Sequence, residues 1–302
     1  MRRSCLFLPG NQPSMLQNGM VLACDVLIFD LEDAVSENEK DAARELVSQA
    51  LLTLDFGMRE IVVRVNDMET PHARLDIIRV TEAGADAVMV PKTVGATTVL
   101  KAASILDEAE EKAGLSHGSV SLILLIETAM GIEKALEAAS ASSRVSALAL
   151  GGEDLAADLG CRRTKASHEL YYARAKLVMA GRACGLDVID TPFTDARDAE
   201  GCYKDACYAR SLGFNGKLVI SPHHLEPVHR AFRPDESEVA YALEVVEAMR
   251  RGKEEGRGAV SLRGKMIDLP VLTQAKRTIE LAEASGMLGT KRRAPAKGDG
   301  EE

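Results

Sequence analysis

Short apolar runs alternate along the chain with longer stretches in which apolar residues recur at helical spacing. The runs are Ser4–Leu8, Asp25–Leu31, Ile61–Val65, Asp86–Val90, Val120–Ile126, Ala147–Leu150, Leu186–Ile189 and Lys217–Ile220. Most are rich in Val, Ile and Leu and lack a simple in/out alternation, which suits parallel strands covered on both faces. Between them the spacing predicts helices over Asn38–Thr53, Pro71–Ala83, Val94–Ala113, Ile132–Ser142, His168–Cys184 and Asp195–Leu212. Strand-then-helix units repeated in this way predict an α/β protein built as a single (β/α)8 TIM barrel. A doubly wound sheet would be expected to carry a Gly-rich nucleotide loop, and Gly10-Asn11 after the first strand lacks the GxGxxG spacing.

The barrel is expected to occupy residues 1–232. The remainder holds a helix near Asp235–Arg251, a Gly-rich charged link at Gly252–Gly258 and an apolar stretch from Ala259 to Ala284, read as a C-terminal helical lid extension over 233–289. The polar tail at 290–302 has no apolar periodicity and is expected to be disordered.

Composition narrows the function classes. The chain has 302 residues, 46% of them hydrophobic, and a net charge of −9, enough to bury a core without staples and with no basic stripe. Nucleic acid is therefore not an expected partner. No apolar run approaches the roughly 18 residues of a membrane helix, so no membrane association is expected. The run after Met1-Arg2-Arg3 stops at Pro9-Gly10, too short for a secretory segment, and the six cysteines form no CxxC. Together these predict a cytoplasmic protein with reduced thiols.

In such a barrel the site lies at the C-terminal strand ends. Those ends carry Asp30-Leu31-Glu32-Asp33, Arg64-Val65-Asn66, Pro91-Lys92, Glu127-Thr128 and Gly151-Gly152-Glu153-Asp154. Acids dominate this mouth, and packed acids repel one another unless a cation or substrate neutralises them. A divalent metal, Mg²⁺ for preference, fits such oxygen donors. Asp33 and Asp154 have an alternative reading as helix caps, Arg64 as a structural ion pair and Lys92 as a solvated lysine. Glu127 directly terminates an apolar run and is no favoured cap residue. His223-His224 are adjacent, share no helix face and are expected to sit at a helix start rather than on a metal.

The stretches RSCLFLPGN (Arg3–Asn11), FDLEDAVSENEKDAAR (Phe29–Arg44), VRVN (Val63–Asn66), VPKT (Val90–Thr93), LIET (Leu125–Thr128), GGEDLAADLG (Gly151–Gly160), GFNGKLVISP (Gly213–Pro222) and GKMIDLP (Gly264–Pro270) together resemble the HpcH/HpaI aldolase and citrate lyase family, most of all its citrate lyase β branch. The resemblance implies a Mg²⁺-dependent carbon–carbon lyase acting on a 3-hydroxy-3-carboxyl acyl thioester. The expected substrate is a citryl thioester, cleaved to oxaloacetate and an acetyl thioester. It further implies Glu127 and Asp154 as metal ligands and Glu32 and Asp33 as holders of metal-bound waters. Arg64 would bind substrate and the developing enolate, and Asp268 would arrive from a neighbouring subunit's lid. Arg3, Asn11 and Lys217 would line the thioester arm's channel. Ser221 departs from the His or Asn that relatives often carry before Pro222. The implied partners are an acyl-CoA or acyl-carrier-protein thioester, citrate lyase α and γ (acyl carrier) subunits, and further copies of the chain in a trimer or hexamer with shared active sites. A free-standing malyl-CoA or citramalyl-CoA lyase and a non-catalytic CoA-binding barrel are the alternatives.

Overall fold

A computed structural model describes residues 1–254 and 256–288, in two compact units, Met1–Phe232 and a second beginning at Arg233. The tail expected at 290–302 lies outside the described residues.

The first unit is a closed barrel of eight parallel strands in sequential order: β1 (Ser4–Pro9), β2 (Val26–Asp30), β3 (Glu60–Arg64), β4 (Ala87–Val90), β5 (Ser121–Ile126), β6 (Val145–Leu150), β7 (Asp187–Asp190) and β8 (Gly216–Val219), with β8 pairing back onto β1. The helices are α1 (Pro13–Asn18), α2 (Lys40–Thr53), α3 (His72–Glu82), α4 (Gly95–Ala113), α5 (Ala129–Glu133), α6 (Ala135–Ala139), α7 (Gly152–Asp158), α8 (Tyr171–Ala183), α9 (Ala199–Leu212) and α10 (Leu225–Phe232). The helix expected over Ile132–Ser142 is two short helices that meet at Lys134, whose φ of −99° and ψ of 13° interrupt the ladder. The helix expected from Asp195 starts only after Asp198, whose side chain accepts from the Gly201 N–H at 2.8 Å and caps α9.

Both faces of the strands are apolar, but they do different work. Val26 and Ile28, Val62, Ala87 and Met89, Ile123 and Leu125, Ala147 and Ala149, Ile189 and Leu218 form one buried cluster, the barrel interior. Their neighbours, such as Leu27, Phe29, Val63, Val88, Leu124 and Leu148, pack in the larger cluster with Val47, Ile77, Leu106 and Leu177 of the surrounding helices. This alternation decides which strand-end side chain points to the barrel axis.

The second unit contains α11 (Glu236–Glu254), an antiparallel hairpin of β9 (Val260–Leu262) and β10 (Lys265–Ile267), and α12 (Leu269–Ala284). Ala242, Val245, Ile267 and Ala275 form its small core. The hairpin stands where the sequence suggested only an apolar stretch; strands of three residues are too short to show a period.

Candidate active site

Inward phase along the strands brings the acids together. Asp30 continues the Val26, Ile28 series, Arg64 follows Val62, and Glu127 follows Ile123 and Leu125. A cavity of about 460 Å³ opens there, lined by Phe7, Asp30, Asp33, Arg64, Glu127 and Asp154 among others, with Leu125, Leu218 and Ile220 supplying apolar wall.

Arg64 is the fixed cation of this mouth. Its Nε and Nη2 donate to the two oxygens of Asp30 at 2.7 and 2.6 Å, and its Nη1 lies 3.1 Å from Glu32 and 3.4 Å from Asp33. Its guanidinium carbon sits 5.0 Å from the centre of the Phe7 ring. Burial works against the charge, but Asp30, Glu32 and Asp33 outweigh it and push the pKa upward, so the group stays cationic.

Glu32 is buried, and its oxygens lie 2.9 Å from Lys92 Nζ and 3.1 Å from Arg64 Nη1. Both oxygens are shielded from solvent and are held by these two ionic contacts. Burial and the charge of Asp33 raise its pKa against the opposing pull of Arg64 and Lys92. Glu127 is likewise buried and accepts the Lys92 backbone N–H at 2.6 Å. Burial, with Glu32 and Asp154 close by, pushes its carboxyl up to about 8. Asp154 stands exposed in the first turn of α7. The mouth therefore gathers oxygen donors that repel one another, one of them holding a proton that a divalent cation would displace. That donor chemistry fits a magnesium ion with part of its water shell retained.

Two of the strand-end residues to which the sequence assigned no definite role support this cluster. Asp30 orients Arg64 by a two-pronged ion pair. Lys92 has φ +48°, a left-handed conformation unusual for a residue with a side chain, and it presents its N–H to Glu127 and its ammonium to Glu32. Asp30 stood among the strand-end acids, yet nothing in sequence distinguishes a carboxylate that binds a guanidinium from one left free.

Three residues expected along a thioester channel are placed otherwise. Arg3 precedes β1 and donates from Nε and Nη2 to Asp25 at 2.8 Å each, at the N-terminal end of the barrel, opposite the mouth. Lys217 is out of phase with the inward Leu218 and wholly buried toward the helices. Its Nζ lies 2.6 Å from both Asp190 and Asp205, which also bind Arg174 of α8. Neither Arg3 nor Lys217 lines the cavity, which corrects the expectation for both. Asn11 is on the mouth side after β1, but its side chain donates to Glu39 at 3.0 Å and it is not part of the cavity wall. His223 and His224 form a single 3-10 turn with Pro222, and His224 packs edge-on against Phe193. Asp268 lies in the second unit as the cap of α12, accepting from the Val271 N–H at 3.3 Å.

The sequence model of the HpcH/HpaI aldolase/citrate lyase family matches residues 3–222. The citrate lyase subunit beta of Leuconostoc mesenteroides subsp. cremoris is 38% identical over 288 residues, 95% of each chain. A (3S)-malyl-CoA thioesterase of Cereibacter sphaeroides is 32% identical over 287 residues, 95% of this chain and 96% of that one. Among solved structures, the CitE protein of Mycobacterium tuberculosis in complex with magnesium, acetoacetate and coenzyme A superposes with a TM-score of 0.77 at 30% identity, covering 93% of this chain and 98% of that one. With this match spanning the whole barrel, and relatives aligned nearly end to end, the chain belongs to the HpcH/HpaI aldolase/citrate lyase family.

Proposed function

We propose that the chain is the lyase subunit that cleaves a citryl thioester into oxaloacetate and an acetyl thioester, with Mg²⁺ as cofactor. The observation that carries this reading is the gathering of acids at one mouth, with Glu32 and Asp33 beside the Asp30-anchored Arg64, and Glu127 and Asp154 lining the same cavity of about 460 Å³ as Arg64. Likeness to a citrate lyase subunit beta, and to a CitE protein that holds magnesium and coenzyme A, supports the choice of substrate and cofactor.

Glu127 and Asp154 would hold the ion, with Glu32 and Asp33 reaching it through water. When bound, the ion supplies Lewis acidity toward the substrate's carboxylate and carbonyl oxygens. The chain's own groups do the rest. Arg64 places its charge where the thioester enolate oxygen develops, in a buried setting where that charge counts for more than in water. A mouth carboxylate, Glu32 or Asp33, takes the substrate's hydroxyl proton. The carbon–carbon bond then breaks, its electron pair passes into the thioester enolate, and an acid protonates the enolate carbon. That acid is Asp268, brought by the second unit of a neighbouring copy. Its half-buried carboxyl is flanked by Met266 and Leu269, 73% and 68% exposed, an apolar rim suited to covering another subunit's mouth. On this reading the thioester arm comes from a carrier protein or from coenzyme A, and the α and γ subunits are the assembly partners.

The malyl-CoA thioesterase relative favours a second reading, action on a malyl or citramalyl thioester. The purified chain supplied separately with citryl-, malyl- and citramalyl-CoA decides between them: oxaloacetate from citryl-CoA supports the proposal. Glyoxylate or pyruvate as the dominant product would replace it with the second reading.

A further inference from the structure

Helix α7, which carries Asp154 in its first turn, begins without a side-chain cap of its own, because its cap residue is Gly151. Its first N–H, that of Gly152, donates instead to Oγ1 of Thr191 at 2.9 Å, across to the residue that follows β7. Thr191 is completely buried. A Cβ on Gly152 would come within 2.5 Å of that oxygen, and one on Gly151 within 2.4 Å of Glu127 Oε2. The two glycines thus press the start of α7 between Glu127 on one side and Thr191 on the other. Thr191 is itself immobilised by its neighbour Asp190, whose oxygens accept from Arg174 at 2.8 and 2.9 Å and from Lys217 at 2.6 Å.

Resting on the cation-site reading above, we infer that Thr191 is a positioning residue whose hydroxyl oxygen locks the α7 start so that Asp154 stays against Glu127, and thereby sets divalent-cation affinity. Valine would fill nearly the same space but leave the Gly152 N–H buried without an acceptor, a loss the helix could recover only by drawing away toward water. Magnesium tolerates little departure from octahedral geometry, so a small retreat of Asp154 is enough to be felt.

The test is calorimetric Mg²⁺ titration of the full chain as wild type, Thr191→Val, Thr191→Ala and Thr191→Ser, with melting temperatures alongside. Thr191→Val and Thr191→Ala should bind Mg²⁺ about tenfold more weakly or worse, the range seen when groups supporting metal ligands are removed. Thr191→Ser should restore near-wild-type affinity. Val binding like wild type, or Ser binding as weakly as Ala, would assign the position to methyl packing and overturn the inference. Should Val fail to fold, the Ser and Ala pair decides by the same criterion. A wild type that binds no Mg²⁺ would overturn the cation-site reading itself, whereas a wild type that binds with all variants unchanged would remove only Thr191.

Discussion

Asp30 and Arg64 meet edge to edge, with Nε and Nη2 of the arginine each donating to a different carboxylate oxygen at 2.7 and 2.6 Å. The pairing leaves Nη1 as the edge directed at Glu32 and Asp33, so the cation is aimed as well as buried. Arg64→Lys keeps the charge but loses the fork. Turnover should fall by about 10²-fold, as when a preorganised donor to a developing oxyanion is lost. Melting temperature should change far less; parallel losses of both would return Arg64 to a purely structural ion pair.

Lys92 serves Glu127 through its backbone and Glu32 through its side chain, and the two roles separate by substitution. Lys92→Gly accepts the left-handed backbone without penalty and preserves the N–H to Glu127, while removing the ammonium. Lys92→Ala removes the ammonium and retains the strain. Chemical denaturation should find the glycine variant more stable than the alanine variant by about 1–2 kcal/mol, the cost of the left-handed region to a residue with a Cβ. Equal stabilities would mean that the backbone conformation at 92 is not held as described.

Lys217 closes a buried group with Asp190, Asp205 and Arg174. Lys217→Met leaves two buried carboxylates facing one guanidinium, and removal of one partner of a buried pair costs about 3–5 kcal/mol. Denaturant unfolding should register that loss. A variant of native stability with a raised KM for the thioester would instead restore Lys217 to the substrate channel.

The barrel was legible because parallel strands sandwiched between helices and interior are apolar throughout, and all eight runs appear as strands within a residue or two of their expected ends. The same property hid the phase. With both faces apolar, nothing in Lys217-Leu218-Val219 shows that Leu218 turns to the axis and Lys217 to the helices, so Lys217 was misplaced. Glu127, Arg64 and the neighbouring acids were legible because charge at the end of an apolar run is conspicuous wherever it points. The support from Lys92 and Thr191 was not, since it depends on a backbone angle and on a contact 39 residues distant in the chain.

Asp268 caps α12 and is proposed also to act in a neighbouring copy's mouth. Mixing Asp268→Asn with Arg64→Ala chains, each inactive alone, should recover a fraction of wild-type activity once subunits exchange. Proven exchange without recovery would refute the shared site, and full activity of Asp268→Asn by itself would leave the residue as a cap only.

Glu127 and Asp154 are proposed to hold one divalent cation. Without the ion, the Glu127 carboxyl is raised from 4.5 to about 8, so between those values the folded chain carries a proton that the unfolded chain has lost. Its contribution to stability therefore falls as pH rises through that window, and a bound cation, which needs the ionised form, binds more tightly as pH climbs toward about 8. Calorimetric Mg²⁺ titration of wild type and Glu127→Gln across this range is the direct measurement. Wild-type affinity should strengthen with pH and level off above about 8, with proton release on binding, and Glu127→Gln should bind far more weakly and without that dependence. Mg²⁺ affinity unchanged in Glu127→Gln would mean that Glu127 is not a ligand of the cation.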